Sequence, residues 1–78
     1  MDLDSIITNL EKTMILLANE IVEIEETIKD LDSILGTDIP LEMAIQICEN
    51  INELIEKIKE NENMIEQLYE IRCKFEIE

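Results

Sequence analysis

The sequence predicts an all-α fold: an antiparallel two-helix hairpin, coiled-coil-like, that dimerises into a four-helix bundle. Two observations carry the fold. Apolar residues recur in alternating steps of three and four along both halves, and the one glycine and one proline, Gly36 and Pro40, sit together between them. A third observation narrows the function. The 78 residues carry 20 acidic and 6 basic side chains, a formal charge of −14.

The first helix is expected over about residues 2–35. Leu3, Ile7, Leu10, Met14, Leu17, Ile21, Ile24, Ile28, Leu31 and Leu35 form an unbroken 3.5-residue repeat, the seam of a left-handed coiled coil. Asp2 suits the N-cap, and Asp4 suits the positive end of the helix dipole. Gly36 follows the last seam residue, where a left-handed C-cap favours glycine.

A turn over 36–39 leads into a second helix, expected over about 39–77, with Asp38 as N-cap and Pro40 in the first turn. Its seam reads Ala44, Ile47, Ile51, Leu54, Ile58, Asn61, Ile65, Leu68, Arg72 and Phe75. Cys48 and Ile55 are expected to widen it. Two seam positions are polar, and a polar residue there fixes register at a cost in stability. A short connection makes the helices antiparallel. Folding about its centre sets Leu35 beside Leu41, Ile21 beside Ile55, Asn61 near Ile15, and Arg72 near Asp2 and Asp4.

A hairpin needs one seam on each helix, and this chain has more. Ile15, Leu16, Ala18 and Val22 lie off the first seam, Ile6 and Ile34 widen its ends, and Ile45, Met64 and Ile71 add to the second helix. Leaving Ile15, Leu16 and Val22 in water forgoes about 1.5–3 kcal/mol for each. A second copy covering the strip around Ile15, Leu16, Ala18 and Val22 gives the expected homodimer. A different protein is the other occupant such a strip admits.

The acids form the second candidate surface. Glu20, Glu23, Glu26 and Asp30 crowd the second half of helix one, while Glu49, Glu53, Glu56 and Glu60 run along the outer side of helix two. Such rows keep an apolar hairpin soluble, and they also suit a protein partner with a basic groove. Direct nucleic-acid or membrane-surface binding is not expected, since phosphate recognition needs clustered lysine and arginine. The chain has no histidine, which removes the Glu-x-x-His pair of helical di-iron sites and the usual acid–base catalyst. No glycine-rich phosphate loop is present. Neither a metal site, a cofactor nor an enzyme activity is expected.

An acidic N-terminus and a longest apolar run of only Met14–Ala18 argue against a signal peptide and a membrane span. Cys48 and Cys73 stand roughly 37 Å apart along one helix, too far for a bridge. Two free thiols fit the cytoplasm, the expected location. The plan resembles the secreted hairpins of the type VII pathway, but the turn Leu35-Gly36-Thr37-Asp38 lacks their Trp-x-Gly. It also resembles a family of sporulation phosphatases, whose Ser-Gln-Glu-Leu-Asp has its nearest counterpart in Cys48-Glu49-Asn50-Ile51-Asn52, without the closing acid. Neither likeness implies an activity here. Richness in Ile, Glu, Lys and Asn resembles the product of an AT-rich genome, and the small acidic hairpin resembles those frequent among phage-encoded inhibitors of host proteins. The expected function is therefore a small acidic inhibitor or regulator of a host or partner protein. Its concrete form is a phage-type anti-defence inhibitor, or one whose carboxylate rows imitate the spaced charges of a nucleic-acid backbone. A structural or chaperone-like subunit of an obligate complex is the alternative.

Overall fold

The structure is a computed structural model and describes residues 2–77. Helix α1 spans Leu3–Leu35 and α2 spans Leu41–Ile77, with no strand among the described residues. The two helices lie side by side as a rod with extents of 58 × 16 × 14 Å.

Nine of the ten seam residues of α1 and all ten of α2 are buried or half-buried, which is what two interlocking 3.5-residue repeats require. Ile24 and Ile47 are the most enclosed apolar side chains. Leu3 is the exception, exposed at the open end. Both polar seam positions point inward as well. Asn61 is only 3% exposed, and its Nδ2 has no hydrogen-bond partner. Arg72 Nη2 lies 3.1 Å from Glu76 Oε1, whereas its buried Nε lies 3.8 Å from Glu11 Oε1. The longer distance is a Coulomb contact, not a hydrogen bond.

The start of α1 follows the sequence. Ser5 N–H donates to Asp2 Oδ1 at 2.8 Å, satisfying one of the first-turn donors. That backbone hydrogen bond, and then the side-chain hydrogen bond with Ser5, holds the Asp2 carboxyl below its ordinary value. The end of α1 differs from expectation. Gly36 adopts a right-handed conformation, with φ −76° and ψ −4°. The last carbonyls are satisfied by a tightened turn: Gly36 N–H donates to Ser33 O, Thr37 N–H to Ile34 O, and the Thr37 hydroxyl to Ile34 O at 2.6 Å. A Cβ at Gly36 would meet Ser33 O at 3.4 Å, an ordinary contact, so the turn does not depend on glycine.

Helix α2 begins at Leu41, two residues later than expected. Pro40 precedes it, and its carbonyl accepts from Ala44 N–H at 3.1 Å. Proline, not Asp38, therefore occupies the position before the helix. Stepping the seam back four from Ala44 also lands on Pro40. Leu41 then lies about 100° off the seam, and it is 76% exposed.

The register differs as well. Arg72 meets Glu11 and not Asp2 or Asp4. Leu17 lines one surface groove with Met64 and Leu68, and Ile21 lines another with Glu62 and Ile65. These neighbours set Asn61 level with Ile21 instead of Ile15, Arg72 level with Leu10, and Leu35 level with Ile47. Leu41, 76% exposed, is thus not packed against Leu35, while the Lys57 ammonium reaches Glu20 at 3.9 Å, some turns nearer the connection. The cause is the connection, which runs past the end of α1 before α2 starts. Around the half-buried Ala44, the off-seam residues Leu41, Met43 and Ile45 in the first turns of α2 are exposed. At the other end Leu3 has no counterpart.

Two outcomes follow from these contacts. Replacing Asn61 with leucine removes a buried unpaired amide, so stability should rise by about 1–3 kcal/mol, read from urea denaturation. A fall would show that the amide is bonded. The lowered carboxyl of Asp2 makes its contribution present above the ordinary aspartate range and lost as pH falls through the lowered value. Asp2→Asn should abolish that local dependence, measured from the Ser5 amide shift between pH 7 and pH 2.

Candidate interaction surface

Outside the seam most side chains are exposed, with Ile6, Glu20, Ile39 and Cys73 half-buried beside it. Ile15, Leu16 and Val22 are 60%, 68% and 52% exposed, and Ala18 is exposed too. The structure does not join all four into one strip. Successive helical residues point about 100° apart, so Ile15 and Leu16 diverge. Ile15, Ala18 and Val22 follow each other in steps of three and four along one broad face. On that face lies the groove lined by Ile21, Ile65 and Tyr69, with Glu62 and Glu66 at its rim. Leu16 belongs to the opposite broad face, beside the groove of Thr13, Leu17, Met64, Gln67, Leu68 and Ile71.

The strip thus becomes two patches at the same height on opposite sides. Nothing in the amino-acid order hides this. Helical phase alone separates Ile15 from Leu16, whereas their adjacency in sequence suggests one patch. Tyr69 and the pair Met64–Ile71 are further components, the tyrosine absent from the expected surplus. All three are exposed. Thr13, Thr27 and Ser33 donate their hydroxyls to carbonyls four residues back, to Asn9, Glu23 and Lys29, which leaves no free hydroxyl proton there for a partner.

The acids separate by environment. Glu23, Glu26, Asp30, Glu49, Glu53, Glu56 and Glu60 are exposed. Glu20 is half-buried and lies 3.9 Å from Lys57 Nζ across the hairpin, so it belongs to the helix–helix boundary and not to the outer surface. Glu56 lies 3.5 Å from Lys59 on its own helix. Both pairs are solvent-exposed and contribute at most about 1 kcal/mol each. Glu49, Glu53, Glu56 and Glu60 form one row on α2, spaced about 5–6 Å apart along the axis at 1.5 Å per residue. One strand of duplex DNA sets its phosphates about 3.4 Å apart, so the row is a sparser line of charge.

No group of three or more His, Cys, Asp or Glu side chains among the described residues is placed to hold a metal ion. Among the described residues, no helix is long and apolar enough to cross a membrane. Cys48, expected beside the seam as a small hydrophobe, is exposed. Cys73 is half-buried. Compared with known protein families, curated proteins and solved structures, the chain matches none.

Proposed function

We propose that this chain is a non-enzymatic protein-interaction module, a small acidic inhibitor or regulator that acts as a homodimeric four-helix bundle. The observation that carries the reading is the exposure of Ile15, Leu16 and Val22 on a hairpin whose own seam is already complete. Helices apolar on more than one side are normally covered on more than one side. Catalysis has little to stand on here, since the grooves are shallow surface features and histidine is absent.

The concrete form is a phage-type inhibitor working in the host cytoplasm, with the acid row of α2 laid into the basic groove of a nucleic-acid-processing or defence protein. Opposite charge speeds such encounters and selects the partner. The sparse spacing of the row makes close mimicry of one DNA strand a poorer account than general charge complementarity. The second reading is a structural or chaperone-like subunit of an obligate complex. The separate patch at Leu16 favours it, since a dimer formed through Ile15 and Val22 leaves Leu16 uncovered.

Two measurements test the proposal. Light scattering at tens of micromolar protein and moderate salt should give twice the 9.1 kDa chain mass. Dimerisation should tighten as salt rises, because screening weakens repulsion between copies; a monomer under those conditions removes the dimer. For a partner captured from the host, Glu49→Gln, Glu53→Gln, Glu56→Gln and Glu60→Gln together should weaken binding at least tenfold, and short duplex DNA should compete. Binding that survives those changes but fails with Leu16→Asp would place the contact on the apolar patch.

A further inference from the structure

We propose that the face of Ile15, Ala18 and Val22 is covered by a second copy of this chain, antiparallel to the first about a two-fold axis passing beside Ala18. This rests on the dimeric reading above and gives it a geometry. The first support is position. Helix α1 runs from Leu3 to Leu35, so the patch straddles its midpoint. A two-fold axis there returns the patch onto itself: Ile15 meets Val22 of the second copy, and Ala18 meets Ala18. The small side chain at the axis lets the two α1 backbones approach closely, while the larger ones fill the space on either side.

The second support is charge. Lys29 and Lys59 are the lysines on this face, among the acids Glu11, Glu25, Glu62 and Glu66. The observed register sets residue 63 of α2 level with the middle of α1. The same axis therefore brings Lys59 against Glu66 of the second copy and Lys29 to within about a turn of Glu11. It also sets Glu11 opposite Glu25 and Glu62 near Glu66, so the ion pairs offset repulsion at the rim of the contact. Symmetry makes each pairing twice. A parallel arrangement would instead lay the Ile15–Val22 patch over Glu62 and Glu66, burying carboxylates against apolar side chains. In the antiparallel dimer apolar side chains meet apolar ones, and the carboxylates stay at the rim, where water solvates them.

The third support is size. Overlap along α1 extends roughly 50 Å at 1.5 Å per residue, across a rod 16 Å wide. That gives roughly 800 Å² on each copy, the size of a standard stable interface. The first turns of α2, before Ile47, lie past the overlap. Leu16 faces away from it and stays available to another protein.

The test uses the full chain with Cys48→Ser and Cys73→Ser, carrying one new cysteine at a time. Ala18→Cys should be linked into dimers by a short bifunctional maleimide, and Leu16→Cys should not. Lys59→Glu should raise the dimer dissociation constant on the order of tenfold from two rim-exposed pairs. Adding Glu66→Lys to it should restore the original affinity. A monomeric mass for the unmodified chain would overturn the dimeric reading itself. A dimer that links through Leu16→Cys, or one indifferent to Lys59→Glu, would overturn this geometry and leave the dimer standing.

Discussion

The interlocking of two 3.5-residue apolar repeats is the interaction on which the rest of this molecule depends. The rod is one hairpin thick, 16 × 14 Å in section, so among the described residues the seam forms its interior. A chain of this size buries a small share of its surface, and two aliphatic columns supply nearly all of that burial. Asn61 and Arg72 interrupt one of the columns, and both carry a buried nitrogen without a hydrogen bond. Such groups cost about 1–3 kcal/mol, a large part of the stability of so small a domain. A shift of register would bring them against other apolar layers at similar cost and break the Arg72 contacts to Glu11 and Glu76. Polar seam residues thus trade stability for one defined alignment.

That alignment decides where every other residue points. With the seam complete, acids on the outside cost little, because water solvates them and their spacing spreads the repulsion. Exposed isoleucine, leucine and valine cost more, about 1.5–3 kcal/mol each when left in water. The apolar patches, and not the net charge of −14, are therefore the features that most call for a covering surface. The charge shapes what can cover them. Repulsion between copies opposes the dimer, and the few lysines are worth most where they oppose an acid of the other copy. Ile15 with Val22 on one side and Leu16 about 100° away give the hairpin two exposed apolar patches.

The helices, their seams and the antiparallel turn were legible in the sequence because hydrophobic period is a strong and redundant signal. Ten positions vote for each seam, and Gly36 and Pro40 have no competitor as punctuation. Register was not legible, since it depends on how far the five linking residues travel before α2 starts. The position of Leu41, off the phase set by Ala44, held a clue that the first turn lies beyond the partner helix. The left-handed cap expected at Gly36 lost to a tight turn closed by Thr37, whose hydroxyl supplies what glycine was expected to allow. Of the candidate surface, exposure was readable and grouping was not. Ile15 and Leu16 are neighbours in sequence and strangers in space. Glu20 shows the same limit, as a single lysine across the hairpin moves it from the acidic surface to the boundary.

The most direct measurement of the account is a nuclear Overhauser experiment on the buried Asn61 side-chain amide. The register described here places its protons within reach of the Ile21 methyl groups. Cross-peaks to Ile21 are the expected result. Cross-peaks to Met14, about two turns nearer the open end, would contradict the register and the two-faced surface built on it.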